Sequence, residues 1–294
     1  MPSLKDVLQK ITAVKKTKQI TKAMNMVASA KLRCAHQHID RFRPYADKFD
    51  EILRDLSAKV EASVHPLFKI RREIKAVGII LVTSDRGLCG SFNNNLITTA
   101  LNLAWTKQAD GKVVKFYCIG KKGRDSVCKL TYELVKAFID QVNNFDFTLA
   151  NSISTDVISA YMAGELDEAI VIYSQFLSMS KQVPVIRSIL PIAQYEAKIE
   201  VDENMSASAE YTYEPMVENL MAELLPRFIK AQIYRGMLDT SASEHAARMA
   251  AMDNATRACD DMIGFLTLLY NKTRQAEITR ELMDIVGGAE ALKG

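Results

Sequence analysis

The stretch Ser84-Asp-Arg-Gly-Leu-Cys-Gly-Ser-Phe-Asn93 holds the residues whose types and spacing come closest to chemistry. It follows the apolar run Val77-Gly-Ile-Ile-Leu-Val82 and precedes a helical pattern. A glycine-rich turn from strand to helix can offer backbone N–H groups to a phosphate. The spacing, however, is neither GxGxxG nor GxxxxGK[ST], and no acid marks the expected end of a second strand. Gly87 and Gly90 are therefore read as permitting a tight turn and close packing, with Asp85 and Arg86 pairing or anchoring the loop. Cys89 has no histidine nearby in sequence to activate it as a nucleophile. His36 and His38 stand two apart on a helical pattern and do not share a face, so they do not make a metal site. Cysteines at 34, 89, 118, 128 and 259 form no CxxC pair and leave an odd count, the usage of reduced structural thiols. No catalytic, cofactor-binding or metal-binding set emerges.

Composition narrows the class further. The chain has 294 residues, 48% hydrophobic and 25% charged, the proportions of an ordinary folded protein. No run of about 18 uncharged apolar residues could span a membrane. The N-terminus has no apolar signal-peptide core, so no cleaved leader is expected. A net charge of +3 hides an asymmetry: residues 1–33 carry eight basic side chains (Lys5, Lys10, Lys15, Lys16, Lys18, Lys22, Lys31, Arg33) against Asp6 alone. Such a helix could face nucleic acid, an anionic membrane or an acidic protein surface. Nucleic acid is not favoured, because no aromatic residue precedes Phe42 to stack on bases.

Three regions must position whatever works. Residues 3–57 read as a helix, with Ser3 as N-cap and Asp6 three residues later completing a capping box. Leu4, Leu8, Ile11, Val14, Ile20, Met24, Val27 and Ala30 are its apolar positions, and Pro44 predicts a bend or local break. Residues 75–200 alternate strands (76–83, 113–119, 169–176, 183–190) with helices (92–107, 121–129, 154–166). That is the pattern of a compact α/β domain with a largely parallel sheet. From Pro215 to Val286 the pattern is helical again. Leu238, Ala242, His245, Met249, Met252, Thr256, Cys259, Ile263, Leu266, Tyr270 and Thr273 repeat there at alternating steps of four and three, a sustained heptad. A helix of that length would extend about 100 Å, too long for a globular core. The expected architecture is an antiparallel coiled coil of the N-terminal (1–57) and C-terminal (215–286) helices with a Rossmann-like α/β domain (75–200) inserted between them. Segments 58–74 and 201–214 are the connections.

Five stretches carry a family resemblance. Leu268-Leu-Tyr-Asn-Lys-Thr-Arg-Gln-Ala-Glu-Ile-Thr-Arg-Glu-Leu-Met-Asp-Ile-Val-Gly-Gly-Ala-Glu-Ala291 resembles the signature end of the gamma subunit of F-type ATP synthase. Ser243–Thr256, Ile20–Ala28, Ser84–Asn93 and Tyr211–Pro215 are similar to further stretches of that family, in order and at family length. Ser91-Phe92 stands where Gly-Leu is common in the family. The regulatory insertion with paired cysteines of chloroplast relatives is absent, so no thiol switch is expected from Cys118 and Cys128.

The resemblance implies a central rotor shaft, itself not an enzyme and without cofactor. One copy would stand inside three alpha–beta pairs, its α/β foot meeting epsilon and the c ring. Nucleotide and magnesium would belong to alpha and beta, and contact with the membrane would run only through the c ring. It further implies that Arg274 and Gln275 engage a loop of beta, that Thr279 and Glu281 share that interface, and that Met24 lies beside it. Lys15, Lys18 and Lys22 would ride past acidic loops of beta, and Tyr211 and Tyr213 would lie near epsilon and the c ring. The location implied is the cytoplasmic face of a bacterial inner membrane. Two competing readings are a nucleotide-binding α/β enzyme with a coiled-coil dimerisation arm and a coiled-coil nucleic-acid binder.

Overall fold

The structure, a computed structural model, describes residues 3–59, 66–68, 71, 73–141, 147–192 and 217–291. The chain forms two compact units, Met1–Ser29 with Arg248–Gly294, and Ala30–Ala247. Two long helices, α1 (Leu4–Lys59) and α5 (Val217–Ala291), contribute to both.

The larger unit holds a five-stranded sheet of β1 (Ala76–Val82), β2 (Val113–Ile119), β3 (Glu133–Phe138), β4 (Glu168–Ser178) and β5 (Lys181–Leu190). Its order is β3-β2-β1-β4-β5, parallel except for the antiparallel β4–β5 hairpin. β1 lies at the centre, which explains why nearly every residue of Ala-Val-Gly-Ile-Ile-Leu-Val is buried. Side chains alternate between two cores, as the two-residue period of a strand requires. Ile80, Val82, Tyr117, Ile119, Val171 and Tyr173 pack with α4 (Phe147–Met162) and the first turns of α5. Val77, Ile79, Leu81, Phe116, Ile170 and Ile172 pack instead with Phe92, Leu96, Ala100 and Ala104 of α2 (Phe92–Ala109) and with Val127 of α3 (Lys121–Val127).

Asp167, just before β4, ties that strand to the start of β1 and to the chain that leads into it. Its carboxylate accepts from the N–H groups of Lys75 (2.7 Å) and Ala76 (2.9 Å) and from Arg71 Nη1 (2.7 Å).

Several expectations need correction. β3 was not anticipated: Glu-Leu-Val-Lys-Ala-Phe is an edge strand with Phe138 alone fully buried, so its alternation is faint. α4 starts at Phe147, seven residues before the expected Ser154, because packing of Leu149, Ala150 and Ile153 outweighs the poor helix propensity of Thr148, Asn151 and Ser152. It ends at Met162, before the expected Leu166, where Gly164 adopts φ 83° and Glu165 N–H returns to Ala160 O at 2.9 Å.

α1 runs unbroken through Pro44. Proline removes the bond to the carbonyl four residues earlier, but Pro44 and Asp40 are both exposed, so water can satisfy that oxygen. The capping box is present, with Asp6 N–H donating to Ser3 Oγ (3.2 Å) and Ser3 N–H to Asp6 Oδ2 (3.3 Å).

The inward face of α1 keeps the expected Ile11 and Val14 but departs from the expected one elsewhere. Leu8, Ile20, Val27 and Ala30 are exposed, whereas Val7, Ile11, Thr21, Ala28, Leu32, Ile39, Ala46, Phe49 and Leu53 are buried. With the half-buried Val14, Lys18, Asn25, Ala35 and Phe42 these fall at alternating steps of three and four, a heptad whose polar members hid it.

Candidate functional site

The turn after β1 is a packing device. Ser84 N–H and Oγ both donate to Asn93 Oδ1 (3.1 and 2.9 Å), and Asn93 Nδ2 reaches Cys89 Sγ at 3.1 Å. Asp85 Oδ1 accepts from Lys121 N–H at 2.9 Å and so anchors the loop to the start of α3. Gly90 has φ 60° and needs its glycine, whereas a Cβ on Gly87 would meet only Lys122 Cε at 3.8 Å. The anticipated role in a tight turn thus holds for Gly90 and not for Gly87.

In an open α/β sheet a ligand enters the crevice where the strand order reverses, here between the carboxyl ends of β1 and β4. That crevice is occupied by α5. Ser174 N–H on β4 donates to Thr240 Oγ1 (3.3 Å), and Ser243 Oγ donates to Ser174 O (3.1 Å). Ser174, Thr240 and Ser243 are almost fully buried. A nucleotide would have to displace the helix, which removes the structural basis of the nucleotide-enzyme reading. Among the described residues no group of three or more His, Cys, Asp or Glu could hold a metal ion. No helix among the described residues is long and apolar enough to cross a membrane.

The thiols are equally unreactive where they are buried. Burial pushes the Cys118 thiol up to about 12, with Cys128 adding to the rise. Cys34 and Cys128 are exposed, while Cys89 and Cys118 are buried. Iodoacetamide at neutral pH is expected to label Cys34 and Cys128 and to spare Cys89 and Cys118 until denaturant is added. Peptide mass mapping checks this, and early labelling of Cys118 would contradict the buried placement.

What remains as working surface lies on the helices. In the smaller unit α1 and α5 run antiparallel: Thr21 Oγ1 meets Thr256 Oγ1 at 2.8 Å, Asn25 Nδ2 donates to Met249 O at 2.9 Å, and Lys18 is ion-paired with Asp260. Val7 and Ile11 pack with Leu266 near the end of the pair. All the heptad positions expected on α5, Leu238 to Thr273, are buried or half-buried. A seam this rich in hydroxyls and amides pairs two helices closely with modest apolar locking.

Past Thr273 the situation changes. α1 begins at Leu4, and residues 274–289 of α5 are exposed without interruption. Five large apolar side chains stand among them: Ile278, Leu282, Met283, Ile285 and Val286, each 49–67% exposed. Arg274, Gln275, Thr279 and Glu281 share this segment, and Thr279 Oγ1 donates back to Gln275 O at 2.9 Å. On α1, Lys15 and Lys22 are exposed, Met24 is half-buried, and Lys18 sits in the seam rather than on an outer basic face. Tyr211 and Tyr213 lie outside the described residues. Sequence reasoning missed the outward apolar groups Leu8, Ile20, Met26 and Val27 as surface; only a correct seam exposes them as left over.

A sheet packed by its own helix, with an apolar helix end that no other described residue covers, has the surface of an interaction subunit. The sequence profile of the ATP synthase family matches residues 3–292. Along the full length of both chains the sequence is 68% identical to an ATP synthase gamma chain of Nitratidesulfovibrio vulgaris (strain DSM 19637 / Miyazaki F). It is 53% identical, again end to end, to that of Lawsonia intracellularis. Among solved structures, the central stalk/c-ring of the Tetrahymena thermophila mitochondrial ATP synthase matches with TM-score 0.61 at 26% identity, over 80% of this chain and 99% of that one. A chain of the Euglena gracilis mitochondrial ATP synthase shares the fold, with TM-score 0.70 at 21% identity over 98% and 94% of the two chains. The chain belongs to the ATP synthase gamma chain family.

Proposed function

We propose that the chain turns as the central shaft of a proton-translocating ATP synthase, coupling rotation of a c ring to conformational cycling of the beta catalytic sites. It is a non-catalytic subunit of a complex that makes and hydrolyses ATP at beta, and it holds no nucleotide itself. The observation that carries this reading is the outward apolar end of α5, Ile278 to Val286, exposed with no second helix beside it among the described residues. Five large apolar groups on one short exposed stretch fit a surrounding sleeve far better than water. Alpha and beta subunits, one chain per three pairs, would form that sleeve.

The mechanism follows from symmetry. One asymmetric rod inside a threefold ring presents a different face to each beta subunit. Each orientation therefore biases the three conformational equilibria differently, and turning the rod exchanges the biases. Arg274 and Gln275 are the groups assigned to grip beta; a guanidinium can bond several carbonyl or carboxylate oxygens at once. Thr279, Glu281 and Met24 would complete the contact, with Lys15 and Lys22 facing acidic loops and Lys18 held in the seam by Asp260. The foot, including Tyr211 and Tyr213, would meet epsilon and the c ring. On this reading the chain would be a peripheral subunit of a membrane complex, on the cytoplasmic face of a bacterial plasma membrane.

The test is reconstitution with cognate alpha and beta. One copy per three alpha–beta pairs is expected. Replacing Arg274→Ala and Gln275→Ala together should lower MgATP turnover about tenfold while leaving assembly intact, the scale of losing one or two charge-assisted hydrogen bonds. Unchanged turnover would remove these two residues from the coupling contact.

A further inference from the structure

Within the larger unit, α1, β4 and α5 line a small cavity of about 40 Å³, partly open to solvent, whose lining includes Phe42, Arg43, Phe176, Arg235 and Asp239. Asp239 is 8% exposed. It stands one helical turn beyond Arg235, close enough for the two side chains to meet. Arg235 is also offered two carboxylates of α1, with Nη1 at 3.7 Å from Asp47 Oδ1 and 3.8 Å from Asp50 Oδ2. Both distances exceed the 2.7–2.9 Å of a formed charged hydrogen bond. Asp50 is otherwise engaged: its Oδ1 accepts from Gln232 Nε2 at 2.8 Å, and Gln232 in turn accepts from Arg187 of β5. Arg235 is thus poised between the carboxylates of α1 and the one on its own helix.

We propose that Asp239 is a proton-binding site that sets how firmly α5 holds α1. With Asp239 neutral, Arg235 is left to Asp47 and Asp50 and the helices are clamped together. With Asp239 ionised, the buried charge draws Arg235 back along α5 and favours opening of the cavity to water, which solvates the carboxylate.

The charged surroundings support this. Arg43 lines the cavity from α1, whose Asp47 and Asp50 stand against Arg235 of α5; β4 contributes Gln175 and Phe176, and Arg187 of β5 and the Tyr173 phenol, itself raised by burial, are near enough to act on the same charges. His36 on α1 meets Phe176 edge-on, with ring centroids 5.7 Å apart. Burial pushes the Asp239 carboxyl up to about 6, against the opposing pull of Arg235, Arg43 and Arg187. The folded site therefore holds its proton more tightly than an opened one. Clamping is complete below the ordinary aspartate value and is lost as pH rises through about 6.

Hydrogen exchange of the full chain, corrected for the intrinsic pH dependence of amides, reads the opening directly. The opening equilibrium of α1 over residues 39–53 is expected to rise about five- to tenfold between pH 5.2 and 7.5. Asp239→Asn should abolish that rise, and His36→Gln, which removes the neighbouring imidazole, should retain it. A flat wild-type profile, a rise that survives in Asp239→Asn, or one lost in His36→Gln would overturn the proposal. So would a ¹³C titration placing the Asp239 carboxyl at the ordinary aspartate value. None of these outcomes bears on the shaft reading, because every residue involved lies away from the exposed end of α5 in sequence and the readout needs no partner.

Discussion

Gly120→Val is expected to abolish folding of the larger unit. Gly120 joins β2 to α3 with φ 97° and ψ 145°, near a region essentially confined to glycine, where a side chain costs about 1–3 kcal/mol even in open space. Here the space is closed. A Cβ would lie 2.3 Å from Thr83 O and 2.7 Å from Thr83 C, both backbone atoms of the segment leaving β1. Neither can swing aside, because Thr83 N–H donates to Ile119 O (2.8 Å) and Gly120 N–H donates to Phe138 O (2.8 Å). Thr83 Oγ1 also accepts from Gly123 N–H at 2.9 Å, so the clash spreads into α3. Relief requires prising β1 from β2, at about 4 kcal/mol or more, a large part of a domain's stability. Gly111→Ala is the matched control: φ is 79°, but no atom lies within 4 Å of the new Cβ, so a loss of only about 1 kcal/mol is expected. Thermal unfolding followed by circular dichroism distinguishes the two. A Gly120→Val chain that melts like Gly111→Ala would contradict the close approach.

Asp167→Ala should cost about 3–5 kcal/mol, because it strands the Arg71 guanidinium and two backbone N–H groups at once. Asp167 is 7% exposed, and Arg71 additionally donates to Tyr161 O at 2.6 Å and lies over the Tyr161 ring. Burial alone would raise the carboxyl, but the N–H groups of Ala76, Lys75 and Arg71 outweigh it and hold it below its ordinary 3.8. A depressed folded value means that the stabilisation is present above the unfolded value and is lost as pH falls through the folded one. The deficit of the variant should therefore be full at pH 6–7 and shrink at pH 3 and below. Urea midpoints across that range check it. A deficit that stayed constant down to pH 2 would show that packing, not the carboxylate, is responsible.

What could be read from the sequence followed the strength of each local pattern. The α5 heptad was legible because its seam repeats through thirty-six residues, long enough to stand out beside the exposed Met262, Phe265 and Leu268. α1 was read correctly at Ile11 and Val14 and misread beyond them: Leu8, Ile20 and Val27 advertise a face, while the real seam passes through Lys18, Thr21 and Asn25, which hydrogen-bond or ion-pair across to α5. A heptad with polar members is visible only with its partner in place. β3 and the first turns of α4 were lost for a related reason, since their pairing and burial come from elements distant in sequence.

The site divides in the same way. The resemblance assigned Arg274, Gln275, Thr279 and Glu281, but composition could not reveal that their segment outruns its partner helix. That depends on where α1 starts and on how the helices pair. Asp239 carried no signal at all, because its surroundings come from α1, β4, β5 and α5. The filled crevice between β1 and β4 was equally hidden, and it argues most strongly against nucleotide binding by this chain.

The most direct measurement is rotation of the larger unit against an immobilised alpha–beta ring. A bead attached at the exposed Cys128, with Cys34 and Cys259 replaced by serine, reports the turning of the foot. The account predicts continuous rotation in one direction on addition of MgATP, with three dwell positions per turn set by the threefold ring. A stationary bead during undiminished ATP hydrolysis would contradict it.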